Sequence, residues 1–296
     1  MSWPPGIKPA RLALVPLVFL CLLALSACAS GEPPGGADRG TPRAPAASPD
    51  QPHLTMLDVG EGDAILLTDG DHALLVDTGP DPAKLRAALA REGVSELDAV
   101  VLTHLHPDHS GGIQGLSQNV TYPTLYIPAG FRAVQSAPTV ADVEKAASVP
   151  ATELAAGEDL KVGRIVLAVL SPPAGASPGD QNSNSLVALV TAPGASALLA
   201  GDAEAEVLEA LIDTGRLGKV DVLKVGHHAD EGSVSEQVLK TLSPSYALVS
   251  VGENPYGYPS PFTMSLLAAH GIETLRSDDA GDVSVRLGPS GAVLEE

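Results

Sequence analysis

The sequence predicts an α/β fold in four layers, αββα, with two β-sheets packed face to face and helices on their outer sides. Three observations predict it. Short β-like runs alternate with helical stretches from His53 to Glu296 without an internal repeat. Helix ends carry recognisable start and stop residues. The chain, 296 residues with 44% hydrophobic content, can also bury a sizeable core.

Strands are expected at Thr55–Val59, Ala64–Thr68, Ala73–Val76, Ala99–Leu102, Arg164–Leu170, Leu186–Thr191, Ala197–Ala200, Val220–Val225, Ala247–Val251 and Val283–Leu287, each a β-branched or leucine-rich run between turn residues. Helices are expected at Pro82–Arg91, Ala203–Thr214, Val234–Leu242 and Pro261–His270. The first has Pro82 at its start and Gly93 just past its end, the usual asymmetry of helix termini.

The N-terminus reads differently. Lys8 and Arg11 precede an apolar stretch, Leu12 to Leu25, that meets small residues in Leu25-Ser26-Ala27-Cys28, the layout of a secretory signal. The stretch falls short of the roughly 20 residues of a membrane span. The tetrapeptide resembles a bacterial lipobox, which implies cleavage before Cys28 and lipid on its sulfur. Residues 29–51 are mostly Gly, Pro, Ala and Ser and read as a tether. The expected organisation is a signal peptide at 1–27, a lipidated Cys28 with its tether at 28–52, and one domain at 53–296. That places the protein outside the cytoplasm, held by lipid at the outer face of the cytoplasmic membrane or on the periplasmic side of an outer membrane.

Charge and cysteine content narrow the chemistry. The formal net charge is −19, from 17 Lys+Arg and 36 Asp+Glu, and nearly all of the acid lies beyond residue 52. Long nucleic acids are gripped by neutralising phosphates with Lys and Arg, so this balance argues against a processive polymer-tracking groove. A local phosphodiester site is not, because bound metal ions supply positive charge. The only cysteines are Cys21 and Cys28, so the domain holds neither a disulfide nor a thiolate metal ligand.

The chemistry centres on Val100-Val101-Leu102-Thr103-His104-Leu105-His106-Pro107-Asp108-His109-Ser110-Gly111-Gly112. An apolar strand ends in three imidazoles and a carboxylate, the donors that suit a Zn²⁺-type ion. His104 and His106 alternate to one side of an extended segment, and Asp108 and His109 reach a second position around the turn. Pro107 disfavours helix at His106 and keeps that segment extended.

This H-x-H-x-D-H followed by S-G-G resembles the signature of the metallo-β-lactamase superfamily, and further pieces follow in the expected order. Leu74-Leu75-Val76-Asp77-Thr78-Gly79 looks like the strand whose Asp supports the metal histidines from behind. Leu198-Leu199-Ala200-Gly201-Asp202 matches the Gly-Asp element whose carboxylate bridges two metals. Val222-Leu223-Lys224-Val225-Gly226-His227-His228 resembles the last metal motif, with His227 expected as ligand and His228 as a packing or hydrogen-bonding neighbour. Leu57-Asp58-Val59-Gly60-Glu61-Gly62-Asp63-Ala64 is similar to the opening hairpin of one branch, the C-terminal hydrolase domain of ComEC-type competence proteins and its free-standing secreted relatives. Its glycines suit a tight turn, and Asp63 is expected to cap backbone amides. Asn182-Ser183-Asn184-Ser185 and Asn254-Pro255-Tyr256-Gly257-Tyr258-Pro259 also fall where that branch has characteristic elements. Two departures stand out: Asn184 and Tyr258 occupy places where relatives carry histidine.

The resemblance implies one or two divalent ions, Zn²⁺ favoured over Mn²⁺. The first is expected at His104, His106 and Asp202, with Asn184 as a further candidate, and the second at Asp108, His109, Asp202 and His227. Ions about 3.5–4 Å apart lower the pKa of a shared water, and the resulting hydroxide is the expected nucleophile. Asp108 is expected to orient it while the ions stabilise developing charge on oxygen. Tyr258 is expected to donate a hydrogen bond to substrate or leaving group. The favoured substrate is a phosphodiester, nucleic acid among the candidates. The alternatives are a carbonyl substrate such as a lactone, thioester or β-lactam, or a catalytically impaired metal-binding envelope module.

Overall fold

Side chains alternate across a strand, and the alternation here builds two sheets that share a core. The structure, a computed structural model, describes residues 51–295 apart from 119 and 178. The expected signal segment, Cys28 and nearly all of the tether lie outside the described residues.

The chain runs through β1 (His53–Met56), β2 (Ile65–Asp69), β3 (His72–Val76), β4 (Ala99–Val101), β5 (Leu125–Pro128) and β6 (Ala151–Leu154). Between them lie helices α1 (Pro82–Arg91), α2 (Pro107–Ser110) and α3 (Val140–Ala147). It then crosses to β7 (Asp159–Val162), β8 (Ile165–Ser171), β9 (Val187–Ala192), β10 (Ala195–Leu199), β11 (Val222–Lys224), β12 (Tyr246–Val249) and β13 (Glu273–Arg276). Helices α4 (Ala205–Asp213), α5 (Glu236–Leu242), α6 (Pro261–Ala269) and the short α7 (Ser277–Ala280) accompany that half. The chain finally returns as β14 (Val283–Gly288) and β15 (Gly291–Leu294). The first sheet has the order β15-β14-β1-β2-β3-β4-β5-β6, and the second β13-β12-β11-β10-β9-β8-β7.

Three buried clusters define the four layers. Leu54, Met56, Ile65, Leu67, Val101, Leu167, Val190, Leu199 and Val285 fill the space between the sheets. The alternate residues Leu66, Leu75 and Val100 pack outward with Leu85 and Leu89 of α1 and Val140 and Val143 of α3. On the other side, Leu198, Leu223 and Ala247 pack against Leu208 of α4, Leu239 of α5 and Leu267 of α6. The αββα expectation is therefore met. No described helix is long and apolar enough to cross a membrane.

The four expected helices and ten expected strands are present within a few residues of their predicted ends. The strands not anticipated are β5, β6, β7, β13 and β15, and all but β5 are sheet edges. An edge strand is paired on one side only, so its apolar pattern is diluted: β7 is mostly exposed and β15 only half-buried. Helix α3 also went unanticipated, although Thr139 and Asp142 form a reciprocal capping box at its start.

The arrangement places several parallel strand ends together. Strands β3, β4, β5 and β6 run parallel, as do β10, β11, β12 and β13. Asp77 follows β3, His104 follows β4, Asp202 follows β10, and His227 and His228 follow β11. The candidate residues thus gather at the carboxyl ends of parallel strands, where α/β sheets usually place their sites.

Candidate metal centre

The loops are locked together before any side chain is considered. Thr78 N–H donates to the carbonyl of His109 at 2.7 Å, and Gly112 N–H to that of Gly79 at 2.7 Å. A Cβ on Gly112 would lie 2.0 Å from the Thr78 carbonyl oxygen, and one on Gly62 2.1 Å from that of Asp108, so both approaches require glycine. His106 is extended (φ −57°, ψ 148°) and Pro107 opens α2, in line with the expected effect of that proline.

Two donor groups converge, each with ligand atoms within 4.8 Å of one another: His104, His106 and Asp202, and Asp108, His109, Asp202 and His228. Asp202 belongs to both. His104 Nε2 lies 3.0 Å from His106 Nδ1 and 3.5 Å from Asp202 Oδ2. His109 Nε2 lies 3.1 Å from Asp202 Oδ1 and 3.7 Å from Asp108 Oδ2. His228 Nε2 lies 3.1 Å from Asp108 Oδ2 and 3.9 Å from Asp202 Oδ1.

Contacts behind the rings set their orientation. His109 Nδ1 donates to Asp77 Oδ2 at 2.8 Å, and His228 Nδ1 to the Ser250 carbonyl at 2.8 Å. Each outward N–H held this way turns the Nε2 lone pair inward, the arrangement that orients metal-binding imidazoles. Asp77 also accepts from Thr103 N–H at 2.7 Å and Thr103 Oγ1 at 2.6 Å, and its φ of 62° is unusual for a non-glycine residue. His104 Nδ1 sits 3.2 Å from Thr103 Oγ1 and 3.4 Å from Ser185 Oγ.

The residues fit a divalent ion. His109 Nε2 and Asp202 Oδ1 are buried and without a hydrogen bond although they face each other. Buried polar atoms of this kind are costly unless something satisfies them. A cation at the shared Asp202 would do so, with nitrogen and oxygen donors of the type that divalent transition metals take. Burial and the neighbouring His109 press the His104 ring well below the usual histidine range. Burial opposes charge on His109 too, but Asp202 and Asp77 outweigh it and lift that ring well above its ordinary value.

Two expected positions are corrected. His228 occupies the place assigned to His227, because Gly226 leads into three successive left-handed residues, His227, His228 and Ala229 (φ 46°, 50° and 62°), and this turn directs His228 inward. His227 instead points its Nδ1 at Glu204 Oε1, 3.0 Å away. Asn184 turns its side-chain nitrogen to the Asp180 carbonyl at 2.7 Å, and it is the adjacent Ser185 that meets His104. Tyr258 stands beside the site, its Oη 3.4 Å from His227 Nε2 and its ring centroid 6.1 Å from that of His228.

Asp63 is also corrected: its carboxylate forms a buried ion pair with Lys224 Nζ instead of capping amides, and its Oδ1 lies 3.6 Å from His228 Nδ1. Lys224, fully buried at the end of β11, was not anticipated as part of the site. The signal was a lone lysine in the apolar run Val222-Leu223-Lys224-Val225.

A two-sheet αββα sandwich with a His/Asp cluster at its parallel strand ends defines a class of metal-binding proteins. This chain belongs to the metallo-β-lactamase superfamily, whose family model matches residues 57–253. It is 31% identical over 254 residues to ComE operon protein 3 of Bacillus subtilis, covering 79% of this chain and 33% of that protein. Identity to competence protein ComA of Neisseria gonorrhoeae is 31% over 246 residues, covering 80% of this chain and 33% of the relative. The chain thus spans about a third of the length of the curated relatives it matches. Among solved structures, the metallo-β-lactamase fold protein YhfI from Bacillus subtilis superposes with a TM-score of 0.53 at 15% identity, covering 79% of this chain and 100% of that one.

Proposed function

We propose that this protein is a metal-dependent hydrolase that cleaves phosphodiesters at the cell envelope. The observation that carries the reading is the sharing of buried Asp202 between two donor groups, the layout of a two-ion centre. Divalent ions bound there supply Lewis-acid polarisation of a substrate oxygen and activation of water. His104, His106 and Asp202 would hold one ion, and Asp108, His109, His228 and Asp202 the other.

The remaining residues prepare the site. Asp77 and the Ser250 carbonyl take the outward N–H of His109 and His228, so it is the Nε2 of each that faces the centre and would give up its proton when an ion binds. Burial, with Asp230 and Asp202 nearby, pushes the Tyr258 hydroxyl up to about 12, so it stays protonated at neutral pH and donates a hydrogen bond to substrate. Relatives named for competence favour a phosphodiester, the linkage of nucleic acid, over a carbonyl substrate. Zn²⁺ is the favoured ion and Mn²⁺ the alternative. Lipid on Cys28 would hold the domain at the membrane surface.

The test is to load the full chain with Zn²⁺ or Mn²⁺ and assay bis-(p-nitrophenyl) phosphate, DNA and a lactone beside a His109→Ala variant. Phosphodiester turnover that disappears in the variant is the expected result. Turnover of the lactone alone would move the assignment to a carbonyl substrate, and bound metal with no turnover would leave a binding module.

A further inference from the structure

His227 has no place in the paired centre, yet it is not idle. Its Nδ1 lies 3.0 Å from Glu204 Oε1 and 3.6 Å from Asp230 Oδ2, and the three side chains form a further group with ligand atoms within 4.8 Å of one another. One imidazole N–H serves one carboxylate. Two carboxylates therefore converge on a single nitrogen, and the only ion pair described for either of them is the one with His227. All three side chains are partly exposed, at 19%, 44% and 33%, so the group is open to ions from solvent.

The far side of the ring carries an independent observation. His227 Nε2 is 3.1 Å from the side-chain nitrogen of Asn182 and 3.4 Å from Tyr258 Oη. The side-chain oxygen of Asn182 is buried and has no hydrogen-bond partner. When Nδ1 is taken by an ion, a half-turn of that amide presents its oxygen to Nε2 with little other movement. The oxygen then accepts from His227 Nε2–H, and the Nδ1 lone pair faces Glu204 and Asp230. An imidazole held by an oxygen on one nitrogen and turned toward carboxylates on the other is oriented for a metal ion.

We propose that Glu204, His227 and Asp230 form a third divalent-cation site beside the paired centre. Nitrogen and carboxylate donors suit Zn²⁺ or Mn²⁺, and three protein ligands leave a position open for water or a phosphate oxygen. Its role rests on the phosphodiester reading. Lys224, three residues before His227, is buried against Asp63 and unavailable to an anion, whereas Glu204 and Asp230 in their bare form repel one. A cation between them reverses that local field and gives a phosphate oxygen a ligand position beside the paired centre.

The test is metal stoichiometry of the full chain by equilibrium dialysis against rising Zn²⁺, comparing wild type with Glu204→Gln/Asp230→Asn. The wild type is expected to take up one ion more than the double variant, at Zn²⁺ concentrations above those that fill the pair, with circular dichroism and Tm alike in both. The single variants Glu204→Gln and Asp230→Asn serve if the double variant does not fold, each expected to weaken the last ion only. Equal ion counts in wild type and variants would overturn the proposal, as would loss of the paired ions along with the third. Phosphodiester turnover is read separately. Its absence in wild type with the extra ion bound refutes the substrate and leaves the site standing, whereas turnover with equal ion counts refutes the site alone.

Discussion

Replacing Asp77 by Asn removes one negative charge and, sterically, almost nothing else. The native carboxylate accepts from Thr103 N–H, Thr103 Oγ1 and His109 Nδ1 at 2.7, 2.6 and 2.8 Å, all in a buried setting. An amide oxygen can keep the Thr103 N–H, but its NH₂ group then faces His109 Nδ1. Two donors cannot share that contact, so His109 must take the other tautomer, with its proton on Nε2 and pointing at Asp202. The lone pair needed by an ion at Asp108, Asp202 and His228 is lost. A hydrogen bond to a charged group contributes about 1.5–3 kcal/mol, which sets the expected fall in folding stability. Losing the contact that orients a metal-binding imidazole costs about 10–100-fold in metal affinity. Competition of the full chain with a chromophoric chelator for Zn²⁺ gives the affinity, and urea unfolding gives the stability. A variant that is destabilised as expected yet binds Zn²⁺ as tightly as wild type would refute the tautomer reasoning.

Other outcomes follow from the same contacts. Lys224→Met leaves the Asp63 carboxylate buried without its cation and should cost about 3–5 kcal/mol in urea unfolding; Asp63→Asn/Lys224→Met should recover much of that, and equal stability of the two variants would show that the pair is not coupled. Gly112→Ala places a methyl 2.0 Å from the Thr78 carbonyl oxygen, so bound Zn²⁺ should fall with stability; an unchanged metal content would mean that the two loops separate freely. Buried Asp69 accepts from the half-exposed Arg164 side chain, and that hydrogen bond outweighs burial to hold its carboxyl below the usual range. Because the folded value is depressed, its contribution is present above about pH 4, the ordinary carboxyl value, and is lost as pH falls through the folded one. Asp69→Asn should therefore lower stability at neutral pH and flatten its loss in acid, and an unchanged acid profile would assign that loss to other groups.

Much of this site was legible because its signals are local. His104, His106, Asp108 and His109 sit within one turn after an apolar strand, and Asp77 and Asp202 each end a strand of their own, so spacing and strand ends suffice to propose them. Most central strands, β5 excepted, announce themselves by burial on both faces; edge strands such as β7 and β15 do not. Choosing between His227 and His228 was beyond reach. They are neighbours in one motif, and what separates them is a left-handed backbone turn whose direction is set by packing against Ser250 and Asp63. Asn184 failed for a related reason, since its amide is taken by the Asp180 carbonyl within its own loop.

By itself, then, the sequence determined the two-sheet architecture, the absence of thiolate ligands from the domain and most of the donor set, all of which depend on residue type and on spacing along short stretches of chain. Tertiary structure alone decided which histidine faces the centre, that Lys224 neutralises Asp63 beneath it, and that Glu204 and Asp230 meet at His227. Those pairings join residues distant in the chain, or turn on the direction of one ring, and such directions are set only when the strands and loops pack against one another.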